Sequence, residues 1–314
     1  MSKLVKAVAP YNHQGSLNFK TAPYNAWLKA GGPIAPSHYP CLKFHGLAFR
    51  YELPTLFKNK KEARFRFVEP VSIFFDTFPD YARYELIPMI WDCWPPYFEK
   101  TCKWLKKHNV KSAIFTSSIT ADRVKNIIPD LNILTVTEGI DTAIYNEGEV
   151  LEKRSVNLYE IGGKGRNFFL KHHPEDYLRL NHYQSLPSHE SFEDFRNLLA
   201  DTKVTVIFPK CVTEPEIAGD VETLTQRYWE CMLSRIVMVG HAPKELADLI
   251  GYNPVIELDR DNAVNHVESI LKDISNPFYQ KMVNKNREVA LQMAPWEIRI
   301  KQIMQWLTSL GYEI

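Results

Sequence analysis

Short apolar runs alternate with amphipathic stretches along most of this chain, and few architectures accommodate that rhythm. A run rich in Val, Ile, Leu or Phe that ends in polar or turn residues is the mark of a strand buried on both faces. Such runs stand at residues 4–8, 71–75, 86–91, 112–116 and 132–136, then at 157–161, 204–208, 236–239 and 255–258. Between them apolar residues recur at helical spacing, as at Phe98, Cys102 and Leu105 in the stretch 97–108. Further helices are expected at 119–128, 191–199, 224–233, 244–250 and 263–274, and the last part, 277–310, reads as helix interrupted at Pro295. Strand–helix alternation predicts α/β layers, a parallel sheet with helices on both faces. At 314 residues the chain exceeds the usual size of one core, so two such units are expected. Ligands of open parallel sheets sit beyond the carboxyl ends of the strands, so chemistry is sought in the loops there.

Composition narrows the function classes. Apolar residues at 45% and charged residues at 24% describe an ordinary globular protein rather than a disordered one. A net charge of +1 argues against nucleic acid as a partner. The basic run KNKKEARFR at 58–66 has two readings, a contact for an anionic or membrane surface, or a solvated loop ahead of a buried strand, and the second is the better. Cys41, Cys93, Cys102, Cys211 and Cys231 form no C-x-x-C pair, which suits free thiols and no zinc site. The opening MSKLVKAVAP lacks the apolar core of a signal peptide, and the chain is expected to be cytoplasmic.

Residues 11–57 depart from the pattern, being rich in Pro, Gly, His and aromatics, as a functional loop region or a poorly packed insert would be. Residues 146–154, NEGEVLEKR, read as a linker between domains. The expected division is 1–150, 151–290 and a C-terminal segment 291–314.

Two constellations carry chemistry. The strand at 157–161 runs into GGKGRNFFLKHH, where Gly162, Gly163 and Gly165 let backbone approach a ligand and Lys164, Arg166 and Lys171 supply cations. Such a turn opening a helix can cradle a phosphate, and Arg adds contacts that suit a diphosphate; a tight turn with solvated cations is the bland alternative. The second is FPKCVTEPEIAGDVETLTQRYWECMLSR, with Glu222 and Glu230 eight residues apart. Both lie near one face if the segment is helical throughout; if it begins as a loop, Glu222 sits at the helix mouth and Glu230 projects from within. Carboxylates so placed can accept hydrogen bonds from sugar hydroxyls, although 37 acidic residues give about four pairs at any fixed spacing by chance. Thr223 and Thr225 can equally cap the helix.

FPK followed by E-x7-E and the strand IVMVG resembles the donor-site signature of retaining GT-B glycosyltransferases of the family-4, group-1-like type. GR-x4-K, from Gly165-Arg166 to Lys171, resembles that family's basic diphosphate motif, and VTEGID at 136–141 resembles its short segment before the interdomain crossing. The likeness runs from about residue 71 to the C-terminus. It implies two Rossmann-like domains facing across a cleft, an N-terminal acceptor domain, a C-terminal donor domain and a last helix crossing back to the first domain. It implies transfer of a sugar from a nucleotide-sugar donor to a glycan, lipid-linked or protein acceptor, with retention and no essential metal or other cofactor.

By position, Arg166, Lys171 and Glu222 would be catalytic. Gly163, Lys164, Gly165, Thr223, Leu224, Thr225, Glu230 and His241 would bind donor: cations at the diphosphate, the 223–225 amides near the phosphates, Glu230 at the ribose, His241 at the base. This chain has Leu224-Thr225 where the family usually has Phe-Gly, and a longer interval from Pro209 to Glu222. In the first half His13, His45 and Asp92 are acceptor-side candidates; Asp92 can equally cap the next helix, and His38 and Asp76 are weaker. The rivals are an epimerase or phosphorylase on the same fold and a nucleotide-sugar-binding scaffold without turnover.

Overall fold

A computed structural model describes residues 2–10, 20–36, 59–162, 167–181 and 191–314 of the chain. These form two compact units, residues 1–137 with 296–314, and residues 138–295. Of the expected site residues, His13, His45, Gly163, Lys164, Gly165 and Arg166 lie outside the described residues, as do His38 and Cys41. Cys93, Cys102, Cys211 and Cys231 are unpaired thiols. Among the described residues no helix is long and apolar enough to cross a membrane.

The first unit is built on a sheet of six described strands, β1 (Leu4–Val8), β2 (Ile34–Ala35), β3 (Glu62–Val68), β4 (Glu85–Ile90), β5 (Ser112–Phe115) and β6 (Asn132–Thr135). They run in the order β2-β1-β3-β4-β5-β6, every ladder parallel. β3 was hidden in the basic run, where a solvated loop is the sequence expectation. Its alternation, E-A-R-F-R-F-V, places Ala63, Phe65 and Phe67 in one core with Trp27, Trp91 and Trp296. The intervening residues face the other side, where Val68 joins the second core layer and the arginines find partners. Arg66 pairs with Asp80, both almost fully buried, its Nε donating at 2.8 Å. Arg64 donates to Glu62 at 2.8 Å and lies 3.6 Å over the Tyr84 ring. Two cations of the run are therefore spent internally, which removes them from any membrane contact.

Residues 71–75 are a second correction. They belong to a turn and the helix Ile73–Thr77, in which Ile73, Phe74 and Thr77 are buried while Val71 and Phe75 are exposed. Apolar composition suggested a strand, but the buried positions follow helical spacing. Asp76 thus sits within a helix, not at a strand end, and accepts from Lys20 Nζ at 2.9 Å, Ser72 Oγ at 2.7 Å and the Glu69 amide at 3.0 Å. The helix Trp296–Ser309 returns to this unit, burying Trp296, Ile300, Ile303 and Leu307 beside the helix Thr21–Lys29.

The second unit carries a parallel sheet of four described strands, β7 (Val156–Leu158), β8 (Thr202–Ile207), β9 (Val237–Gly240) and β10 (Ile256–Glu257), in the order β10-β9-β8-β7. Its two core layers are centred on Trp229, Tyr228 and Met238 on one face and Phe169, Val206 and Val267 on the other. The expected linker 146–154 is part of this unit. Polar composition suggested a tether, yet Arg154 is buried and donates to the carbonyls of Glu147, Glu149, Thr202 and Ser234 at 2.7–3.0 Å. Burial and the neighbouring Arg235 lower its pKa to about 10. The structural boundary accordingly falls at Thr137/Glu138 and Pro295/Trp296.

Candidate functional site

The segments beyond β7, β8 and β9 carry the described second-half candidates, all within the second unit. The helix Gln226–Leu233 begins two residues later than its periodicity predicts, so Glu222 lies in the loop and Glu230 within the helix. Tyr228, Trp229, Cys231, Met232 and Leu233 are buried, leaving Gln226, Arg227 and Glu230 half-buried and about one turn apart. Arg227 Nη1 donates to the carbonyl of Ile161 at 3.2 Å, which ties this helix to the residue just before the glycine-rich sequence. Glu230 Oε1 accepts from the hydroxyl of Tyr145 at 2.8 Å. Burial raises the Glu230 carboxyl above the ordinary range, opposed by the Tyr145 hydrogen bond and the Arg227 charge.

The start of that helix is occupied by protein groups. Glu138 Oε2 accepts the Gln226 amide at 3.1 Å, and the Glu138 carbonyl accepts from Trp229 Nε1 at 2.9 Å. Thr225 is the N-cap residue, but its buried hydroxyl has no hydrogen-bond partner. The loop before it interlocks with the helix Lys244–Ile250. Glu222 Oε1 accepts the Lys244 amide at 2.7 Å, while Glu245 Oε2 accepts the Thr223 hydroxyl at 2.8 Å and the Leu224 amide at 2.9 Å. These exchanged caps explain why the loop is held without regular structure of its own.

His241 follows β9, placed by Gly240. A Cβ on Gly240 would stand 1.9 Å from the Ile207 carbonyl oxygen, and its φ of 148° is one that side-chain-bearing residues rarely adopt. The imidazole lies between two carboxylates, with Nε2 at 3.4 Å from Glu222 and Nδ1 at 3.1 Å from Glu257. Among the described residues no group of three or more His, Cys, Asp or Glu side chains is arranged to hold a metal ion.

The glycine-rich turn is framed at both ends. Asn167 Nδ2 donates to the carbonyls of Glu160 and Gly162, each at 3.2 Å. Glu160 is buried, accepts the amides of Phe169 at 2.9 Å and Leu170 at 2.7 Å and so caps the helix Phe168–His172, on which Lys171 is exposed. Burial pushes the Glu160 carboxyl up to about 7, against the pull of those amides and of Arg227. A carboxyl raised in the folded state stabilises fully below about pH 4.5, and that contribution is lost as pH rises through 7. Between pH 5 and 8 the wild type is expected to lose about 3 kcal/mol relative to Glu160→Gln, read from denaturant unfolding at each pH. Parallel pH profiles for the two proteins would contradict it.

In the first unit Asp92 is exposed just past β4 with φ of 47°, an uncommon backbone for a residue other than glycine. The cap position of the next helix belongs to Trp94, which makes no side-chain cap hydrogen bond.

No family model matches the chain, and no curated protein matches it in sequence. Its architecture does have solved counterparts. Sucrose-phosphate synthase from Thermosynechococcus elongatus superposes with a TM-score of 0.59 at 10% identity, covering 98% of this chain and 99% of that one. Anabaena Alr3699/HepE in complex with UDP-glucose gives 0.57 at 12% identity, covering 97% and 99%. AviGT4, a glycosyltransferase involved in avilamycin A biosynthesis, gives 0.53 at 11%, covering 99% and 98%. The fold is GT-B.

Within that GT-B fold the described donor-side candidates, Lys171, Glu222, Thr223, Leu224, Thr225, Glu230 and His241, all fall in the second unit and on loops or helices that follow its strands. Sequence reasoning missed Arg227, Glu138, Tyr145 and Glu257, although Arg227 carried a signal in its i,i+3 spacing from Glu230. The partners of the other three are set by pairings no local pattern encodes, such as Tyr145 with Glu230, 85 positions apart.

Proposed function

We propose that the chain is a glycosyltransferase that takes its sugar from a nucleotide-sugar donor bound by the second unit. The observation that supports this most is the pairing of half-buried Arg227 and Glu230 one turn apart on one helix, with Arg227 bonded to Ile161 just before the glycine-rich sequence. A cation and a carboxylate one turn apart, on a helix bonded to the residue that precedes the sequence GGKGR, suit the two ends of a nucleoside diphosphate. In this reading Arg166, Lys171 and Arg227 neutralise the departing diphosphate, which needs no metal for that step. Gly163 and Gly165 allow close backbone approach. Glu230, which uses Oε1 for Tyr145, accepts a ribose hydroxyl with its other oxygen.

Glu222 then acts on the donor through His241, holding the imidazole from its Nε2 side as Glu257 holds it from the other. The amides of Leu224 and Gln226 are already taken by Glu245 and Glu138, so in this reading those two do not serve the phosphates. The resemblance further supports retention at the anomeric carbon. Asp92, with His13 and His45, is assigned to the acceptor, which is a glycan, a lipid-linked sugar or a protein.

One observation favours the scaffold alternative, namely that Glu222 and the Leu224 amide are both engaged internally. Product analysis separates the two. Incubation with a panel of nucleotide sugars and simple glycoside acceptors is expected to release nucleoside diphosphate, with the anomeric configuration of the product retained by NMR. Binding of nucleotide with no release from any donor would overturn the transferase reading.

A further inference from the structure

Beside the helix Phe168–His172 the second unit has an open pocket of about 100 Å³, and its described lining includes Asn167, Phe168, Lys171, His172, Thr213 and Arg260. None of the described lining residues carries a carboxylate. The described lining therefore gathers two permanent cations, an imidazole and an amide, and carries no carboxylate among them. Arg260 is exposed, and its head group rests on an aromatic ring. Its guanidinium lies 4.8 Å over the ring of Phe208, and that ring sits 4.7 Å from Phe168 in the pocket wall. The aromatic pair thus forms a floor that orients the arginine fork.

A second observation points to a ligand. Thr213 is buried to all but 9% of its surface, and its hydroxyl has no hydrogen-bond partner. Buried hydroxyls are rarely left unsatisfied, and one on a residue that lines a cationic pocket suits an acceptor from outside the chain. The acceptor must be anionic to suit Lys171 and Arg260, and rich in oxygens to take a fork, an ammonium and a hydroxyl together. A phosphoryl group meets those terms.

We infer that this pocket binds a phosphoryl group, held by Arg260 and the Thr213 hydroxyl together with Lys171. The inference rests on the donor reading for its source: the group is the distal phosphate of the donor's nucleoside diphosphate, so Arg260 and Thr213 join Lys171 in the diphosphate site. A free phosphate or another phosphorylated ligand offers the same chemistry, and the arms of the test distinguish them.

Calorimetry on the full chain would use inorganic pyrophosphate in one arm and UDP, GDP and ADP in the other. The variants are Arg260→Gln, Thr213→Val and Thr213→Ser, each checked for an unchanged melting profile. Pyrophosphate is expected to bind the wild type, to weaken at least tenfold in Arg260→Gln and several-fold in Thr213→Val, and to be retained in Thr213→Ser. Parallel weakening of one nucleoside diphosphate supports the donor as its source. Pyrophosphate binding that depends on Arg260, with nucleotide affinity unchanged, supports a phosphoryl pocket but overturns the donor as source. Pyrophosphate and nucleotide affinities both indifferent to Arg260 and Thr213 would overturn the inference while leaving the donor reading in place. Pyrophosphate bound through Arg260 with no nucleotide bound at all would leave the pocket standing and remove the donor reading. No binding of pyrophosphate to the wild type would overturn the pocket, whatever the nucleotides do.

Discussion

Asp80→Ala is expected to destabilise the first unit by about 3–5 kcal/mol, because it strands a guanidinium inside the protein. Arg66 points away from the aromatic face of β3 and is 7% exposed, and its Nε and Nη2 both donate to one oxygen of Asp80, itself 2% exposed. Burial already lowers the arginine's pKa, with Asp80 and, more weakly, Asp76 opposing it. Losing the carboxylate leaves a charge that water cannot reach. The double variant Arg66→Met with Asp80→Leu removes both charges and is expected to recover most of the loss, since a buried pair adds little net stability over apolar residues of similar size. Six of the seven tryptophans lie in the first unit, so the fluorescence midpoint in urea reports on it. Equal midpoints for wild type and Asp80→Ala would show that the pair is more hydrated than its burial indicates.

The largest effect on ligand binding is expected at Arg227. Replacing it with alanine should weaken the best nucleoside diphosphate by about 10- to 100-fold, the range set by about 1.5–3 kcal/mol for a hydrogen bond to a charged group. Two effects act together. The diphosphate loses a cation, and the neighbouring carboxyls of Glu230 and Glu160 lose the charge that holds their pKa values down. Arg227→Lys keeps the charge without the fork and is expected to fall between. Titration calorimetry measures this directly. An alanine variant that binds nucleotide as the wild type does would remove Arg227 from the site and leave its bond to Ile161 as a structural tie.

Much of the fold was legible because its strands advertise themselves. The runs at 4–8, 112–116 and 132–136 are short, apolar and bounded by turns, and they are β1, β5 and β6 with a residue or less of difference at the ends. β3 was not legible as a buried strand, since Arg64 and Arg66 made it look solvated. Their burial depends on Glu62, Tyr84 and Asp80, and the last of these arrives from 14 residues downstream. At 71–75 composition misled where spacing was informative. At 146–154 polar composition suggested a linker, but Arg154 ties the segment down through two of its own carbonyls and those of Thr202 and Ser234.

The candidate site was legible in its types and less so in its contacts. Glycines, cations and paired carboxylates stand at readable intervals, and the choice between loop and helix for Glu222 was open in the sequence. That Glu222 caps a helix 22 residues away, or that Glu138 takes the Gln226 amide across 88, follows from chain packing that periodicity does not encode.

The most direct test of the account is a thermal-shift titration of the full chain with UDP, GDP, ADP and their glucose conjugates, in parallel with Glu230→Ala. The account predicts that one base stabilises the wild type strongly, and that Glu230→Ala melts normally alone yet loses most of that stabilisation. No shift with any nucleotide at millimolar concentration, or an equal shift in both proteins, would contradict a donor site built around Glu230.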